Sequence, residues 1–292
     1  MIRRATRLLR EVRARYARAG LSGNLHLLRR ALRLSVAGAR TTARTGREPR
    51  VIVSLTTLPS RIARIGPVLR SLLDQDEPAD EIRLHLPSSS RREGTPYSIP
   101  DFLRGVIGLS VVHCDRDWGP ATKLLPVLQA ERESNVVIIA ADDDVIYPPD
   151  FVANLLRWQQ ARPGCALGLR GWSLPPSLDW RETQTRYGTE VTEPQRVDVI
   201  TGTWGMLVEP RFFDAAVLDY SGFPADAFFV DDIWLNGHLA RRAVPRLLVP
   251  CRLAPLPTPI GWINGLTYAE NADGGRNNRV IEAFRDAWSA PP

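Results

Sequence analysis

Long apolar runs are missing from these 292 residues, and without a stretch of about 18 the chain encodes no membrane-spanning helix. The N-terminus also lacks the uninterrupted apolar core of a secretory signal. Cysteine is scarce: Cys114, Cys165 and Cys251 are odd in number and far apart, and no pair has metal-ligand spacing. That excludes a disulfide scaffold or a zinc ribbon and points to a reducing, cytoplasmic compartment. Lysine is scarcer still, since of 38 basic residues all but Lys123 are arginine. No Gly-x-x-x-x-Gly-Lys-Ser/Thr run occurs, so a P-loop is excluded.

What is present is unevenly charged. Residues 1–50 hold fourteen arginines against Glu11 and Glu48, a balance of +12, which leaves −6 for residues 51–292 out of a net +6. The basicity belongs to an N-terminal arm, residues 1–47. In it Ile2, Leu8, Leu9, Val12 and Tyr16, and then Leu25, Leu28, Ala31, Leu32 and Leu34, recur at helical spacing with arginines between them. Basic amphipathic helices suit an anionic membrane surface, so the expected setting is cytoplasmic and peripheral to the inner face of the membrane. Packing of the arm against the acidic body is the alternative. Only Tyr16 offers a ring for base stacking, so nucleic acid is not an expected partner.

From residue 48 a single domain is expected, with residues 51–150 and 151–292 as its two halves. "VIVSLT", "EIRLHLP", "LSVVHC" and "VVIIAA" read as four strands. Between and after them "IARIGPVLRSLLDQ", "PATKLLPVLQAERE" (bent near Pro126) and "DFVANLLRWQQARP" read as helices. Alternation of this kind predicts an α/β fold, a mostly parallel sheet with helices on both faces. Ligands of such sheets bind beyond the carboxyl ends of the strands. Here those ends carry Thr56, Thr57 and Arg61, then Ser88–Arg92, then Asp115, Asp117 and Lys123, and finally Asp142, Asp143 and Asp144. A solvated turn accounts for three aspartates in a row, but not for four polar strand ends on one edge.

Clustered carboxylates become favourable around a divalent cation, and a short acidic loop leaves coordination positions for substrate phosphates. In an extended segment Asp142 and Asp144 point the same way and Asp143 the other. Asp144 is therefore expected as the chief metal ligand. Asp142 is expected as a second ligand, direct or through water, or as a ribose contact. "DDDVIYPPDF" lacks the glycine and distal glutamate of an EF-hand.

The strand "VIVSLTT", the helix ending "SLLDQ", the strand after "PADEI" and an Asp-x-Asp at the fourth strand resemble GT-A nucleotide-sugar glycosyltransferases. The first half is similar to family 2-type enzymes. The segment "IAADDDVIYPPDFVANLLRWQQARPG" resembles the Asp-Asp-Asp segment of exostosin-type transferases. The resemblance spans roughly residues 50–250, and the Gln-x-x-Arg-Trp motif of processive synthases is missing. It implies a GT-A, Rossmann-like sheet and an enzyme of the hexosyl or N-acetylhexosaminyl transferase class. It also implies Mn2+ or Mg2+, a nucleotide-sugar donor and a glycan or lipid-linked acceptor, as in polysaccharide biosynthesis. Thr56, Thr57 and Arg61 would hold base and ribose, Lys123 a phosphate and Asp117 the base or ribose, with Asp143 counted among the donor contacts.

The second half is expected to build the acceptor side. Trp172, Trp204 and Trp262 offer faces for sugar stacking, and Gly205 allows close backbone approach. Asp231 and Asp232 open a helix, where the dipole favours ionised carboxylates. The resemblance makes one of them the general base and implies His238 as a further metal ligand. "ENADGGRNNRV" reads as a loop able to bring Arg276 or Arg279 to the diphosphate. Two rivals remain: a sugar nucleotidyltransferase, which would need a Gly-rich loop where "SLTTLPSRI" stands, and a catalytically silent carbohydrate-binding protein.

Overall fold

The computed structural model describes residues 2–36, 46–132, 135–263 and 274–288. The domain is organised on an eight-stranded sheet: β1 (Arg50–Thr56), β2 (Glu81–Pro87), β3 (Leu109–Cys114), β4 (Val136–Ala140), β5 (Ala166–Gly168), β6 (Gln195–Arg196), β7 (Met206–Val208) and β8 (Arg246–Leu248). Their spatial order is β6-β8-β5-β7-β4-β1-β2-β3. β3, β2, β1 and β4 are mutually parallel. β7 runs antiparallel between β4 and β5, β8 is parallel to β5, and β6 is an antiparallel edge. The mostly parallel α/β sheet expected from the alternation is therefore present.

β1 and β4 are rich in β-branched residues and buried on both faces, as central parallel strands must be. Their alternate residues feed two separate cores. Val51, Val53, Leu55, Val137 and Ile139 pack with Leu69 and Leu72 of α2 (Gly66–Leu73) and Phe151 and Leu155 of α4 (Phe151–Ala161). Ile52, Val136, Ile138 and Ala140 pack with Leu125 and Leu128 of α3 (Leu125–Ala130), Ile233 and Leu239 of α5 (Asp231–Arg241) and Val280 of α6 (Gly275–Ala283). Each fully buried Val, Ile or Leu contributes about 1.5–3 kcal/mol, so both cores grip the strands that carry the acidic loop.

Two helices differ from their sequence reading. The segment from Ile62 divides into a 3-10 turn, Ile62–Arg64, and α2. "GPATK" is likewise a 3-10 turn, Gly119–Lys123, and Pro126 lies in the first turn of α3 rather than bending a longer helix. A proline ring is tolerated there because that turn's N–H groups have no intrahelical acceptor.

The N-terminal arm is helical, α1 (Ile2–Val36), kinked at Gly20, whose φ of 61° leaves the helical region. It packs on the body. Ala14, Leu27 and Leu34 are buried. Buried Arg30 pairs with the Asp74 carboxylate and donates to the Ser71 carbonyl at 3.2 Å and the Tyr147 carbonyl at 3.4 Å. Thr189 Oγ1 donates to the Ala14 carbonyl at 2.5 Å, and Arg70 donates to the Leu34 carbonyl. Among the described residues no helix is long and apolar enough to cross a membrane.

Candidate active site

The parallel strands deliver their carboxyl ends to one edge, and the register of β7 brings a second segment to the same place. Met206 pairs with Ala140, so Thr201–Gly205, just before Met206, lies beside the acidic loop that follows Ala140. α5 enters from the second core and places Asp231 and Asp232 at its N-terminus, where backbone N–H groups and the helix dipole favour negative charge.

Lys123 is the hub. It is buried, with Nζ 2.7 Å from Asp142 Oδ1 and 2.9 Å from Asp231 Oδ2. Burial works against the ammonium, but Asp142, Asp231 and Asp232 hold its pKa well above the ordinary lysine value. Its backbone is fixed too, since Ser54 Oγ of β1 donates to the Lys123 carbonyl at 2.5 Å. A Cβ on Gly202 would lie 2.4 Å from Lys123 Nζ, so the Thr-Gly-Thr turn has a glycine where the ammonium needs the room.

Each of the three aspartates has a different environment. Asp142 accepts from Lys123 on Oδ1 and from Thr203 Oγ1 on Oδ2 at 2.9 Å, and its N–H donates to the Tyr147 hydroxyl at 2.8 Å. Burial pushes the Asp142 pKa up, but Lys123 and Thr203 outweigh it and hold it below the usual value. Asp143 is buried, taking Thr57 Oγ1 at 2.5 Å and Arg61 Nη1 at 2.8 Å. Asp144 accepts no hydrogen bond on its carboxylate among the described residues, and Arg61 stays 3.9 Å away. Burial, then Asp143 and Asp142, push its pKa up to about 7. Its carbonyl is held by Thr258 N and Oγ1 at 2.8 and 2.9 Å.

Asp232 is half-buried and accepts from the Gly202 N–H at 2.8 Å. Burial and then Asp231 push its pKa up to about 7. Asn236, one turn along α5, donates to the Asp232 carbonyl at 2.7 Å and exchanges two hydrogen bonds with the Ile200 backbone. That ties α5 to the segment carrying Gly202 and Thr203. Five carboxylates thus converge on two cations, Lys123 and Arg61. No group of three His, Cys, Asp or Glu side chains among the described residues is arranged as a metal cage.

Several sequence-level assignments need correction. Asp143, Thr57 and Arg61 hydrogen-bond one another, and Arg61 Nε donates to the Ile263 carbonyl at 2.7 Å, so all three brace the acidic loop. Thr56 Oγ1 donates to the His85 carbonyl at 2.8 Å. Asp117 accepts from the N–H groups of Gly119 and Arg91, both at 2.7 Å, and so shapes the turn that presents Lys123. His238 is buried against Trp234, Phe223 and Phe284, and burial pulls its pKa down to about 4. It lies about 10 Å along the helix axis from Asp231, within the aromatic core rather than among the carboxylates.

The aromatic expectations fare similarly. Trp204 is buried, adopts a φ of 79° and packs on Tyr187 with ring centroids 5.0 Å apart. Trp172 is buried edge-on to Trp180 at 3.9 Å. Neither offers a free face for a sugar. Gly205 has a φ of 103°, and its missing Cβ would strike the Phe151 ring at 2.4 Å, so core packing requires this glycine. The Trp262 side chain and residues 264–273 lie outside the described residues. Arg276 and Arg279 belong to α6 and pair with Asp226 at 3.7 and 2.6 Å.

Sequence reasoning missed Thr203, Tyr147 and Asn236. Thr203 was marked by its place in "TGT" between two apolar segments, and Asn236 by its spacing of four from Asp232. Nothing local marked Tyr147.

A mostly parallel sheet with an acidic loop at the end of its fourth strand, faced by the N-terminus of a helix from the second half, defines the GT-A fold. Among solved structures the chain is similar to the mannosyltransferase PcManGT from Pyrobaculum calidifontis in complex with GDP-Man and Mn2+. That match has 16% identity and a TM-score of 0.51, and it covers 92% of this chain and 72% of that one. The likeness establishes the fold. GalNAc-T7 with UDP, GalNAc and Mn2+ matches at 14% identity and a TM-score of 0.47, over 70% of this chain and 43% of that chain, too distant to add to the argument. No family profile and no curated protein sequence matches the chain.

Proposed function

We propose that the protein is a metal-dependent glycosyltransferase, moving a sugar from a nucleotide-diphosphate sugar to a hydroxyl of a glycan or lipid-linked acceptor. The observation that carries this reading is the charge imbalance of the site: five carboxylates face Lys123 and Arg61, and Asp144 is left open. Burial, and then the neighbouring charges of Asp143 and Asp142, disfavour its ionised form, a cost that a bound cation would offset, and Asp142-x-Asp144 supplies the donors that Mn2+ or Mg2+ prefers. Asp144 would hold the ion, with Asp142 beside it. When bound, the ion supplies a counter-charge for the diphosphate and for the leaving nucleotide. PcManGT, of the same fold, was solved with GDP-Man and Mn2+.

The chain's own residues divide the remaining work. Lys123 holds Asp142 and Asp231 in place and keeps Asp142 ionised. Asp231 is committed to that ion pair, which leaves Asp232 as the base for the acceptor hydroxyl. A carboxylate with its pKa near 7 is matched to taking a proton at neutral pH. Residues 1–47 would keep the enzyme at the cytoplasmic face of an anionic membrane, a reading supported by their charge balance.

Titration calorimetry of UDP and GDP against wild type and Asp144→Asn, with and without Mn2+, tests the assignment. Mn2+ should strengthen nucleotide binding to wild type at least tenfold and have no effect on the variant, which should melt no lower than wild type because a carboxylate disfavoured by burial has been removed. Equal Mn2+-dependent affinity in both proteins would remove Asp144 from the metal site.

A further inference from the structure

α1 presents two apolar faces, and the body needs only one. Leu27, Arg30 and Leu34 face inward and are buried. On the other side Leu21, Leu25, Leu28 and Leu32 are 67%, 45%, 48% and 62% exposed, and Val36 continues the line. Their spacing of four, three, four and four residues puts them on one stripe, about 23 Å long at 1.5 Å per residue. Single exposed leucines are ordinary, but a continuous ridge of them marks an interaction surface. Arg29 lies beside the ridge by helical phase, and both it and Arg18, across the kink at Gly20, are exposed.

Charge decides what covers it. Leu21, Leu25, Leu28 and Leu32 are spaced like a coiled-coil seam, but the next seam position is Ser35. The arm offers no acid after Glu11 until Glu48 to pair with a partner's arginines. Two copies would bring together arms that each carry a balance of +12 over residues 1–50, whereas an anionic bilayer neutralises that charge.

We propose that the outer face of α1 from Leu21 to Val36 is an interfacial docking surface for an anionic lipid bilayer. The helix lies parallel to the membrane plane, with its leucines at the acyl boundary and Arg18 and Arg29 among the headgroup phosphates. The inner face, fastened through Arg30 to Asp74 and Tyr147, makes the docked helix and the catalytic body one unit. This surface rests on the membrane reading of residues 1–47 proposed above, which it assigns to one face of α1, and it stands or falls without the sugar-transfer reading.

Co-sedimentation of the full chain with vesicles tests the proposal, using equal parts phosphatidylglycerol and phosphatidylcholine or phosphatidylcholine alone. Wild type should bind the anionic vesicles, weaken with added salt, ignore the neutral ones and run as a monomer by light scattering. The combined variant Leu25→Gln, Leu28→Gln and Leu32→Gln should lose ~10-fold or more in binding with an unchanged melting temperature. Single variants Leu21→Gln and Leu32→Gln should show graded losses, which keeps the test valid if the triple variant melts early. Undiminished binding by the ridge variants would overturn the proposal. So would a wild-type dimer that binds no vesicles and falls apart in the triple variant, because a second copy would then be the partner.

Discussion

Lys123 reaches Asp142 at 2.7 Å across a space that only the absence of a side chain at Gly202 leaves open. A methyl there would sit 2.4 Å from the ammonium. Gly202→Ala should therefore displace Lys123, lower stability by about 1–3 kcal/mol and weaken nucleotide binding. Chemical denaturation and calorimetry on the same preparation check both; a variant with wild-type midpoint and affinity would show that the contact is not needed.

Removing the cation should be worse than crowding it. Lys123→Met leaves Asp142 and Asp231 buried without their shared partner, a loss of about 3–5 kcal/mol. The denaturation midpoint at pH 7 should fall accordingly. Part of the loss should return at acidic pH, where the orphaned carboxylates take up protons.

Asp232 should set the pH response. With its pKa raised to about 7, transfer is expected to rise with pH through about 7 and level off above. Asp232→Asn should keep nucleotide affinity and lose turnover by about 10²-fold or more, whereas Asp231→Asn should mainly lose stability. The folded pKa lies above the usual carboxylate value, so Asp232 favours folding below about pH 4 and loses that contribution as pH rises through 7. Asp232→Asn should accordingly be more stable than wild type at pH 8 by about 1 kcal/mol or more, and the gap should narrow as pH falls and close only near pH 4. A pH-independent difference would contradict the assignment.

The arm should matter to the fold. Arg30→Ala removes the buried partner of Asp74, which is 9% exposed and keeps only the half-buried Arg33, and should cost about 1–3 kcal/mol. Thermal melts of Arg30→Ala and of Arg29→Ala, an exposed neighbour, separate this effect from a general loss of charge. The Arg29 variant should melt like wild type.

Much of this was legible in the sequence because it is local. The strands at 50–56, 81–87, 109–114 and 136–140 announce themselves as apolar runs, and the aspartates follow the last of them directly. The partners of those aspartates were not legible. Asp143 meets Arg61 across 82 residues and Asp142 meets Thr203 across 61, separations set only by the sheet order. Trp204 looked available because glycines flank the turn, yet its left-handed backbone turns the ring onto Tyr187. The balance of +12 over residues 1–50 suggested an arm free to meet a membrane, and no periodicity revealed that Arg30 faces inward.

Tyr147 gives that inward face a wider reach. Its hydroxyl accepts from the Asp142 N–H, while its own N–H donates to Ser71 and its carbonyl accepts from Arg30. The first helix thus acts as a splint on the acidic loop, two hydrogen bonds away from the Asp142 carboxylate. A shortened protein lacking residues 1–47 should carry every side chain proposed for catalysis and still bind nucleotide poorly, because the loop would lose its brace. Weak activity in such a fragment would report slack in the loop before it reported anything about the membrane.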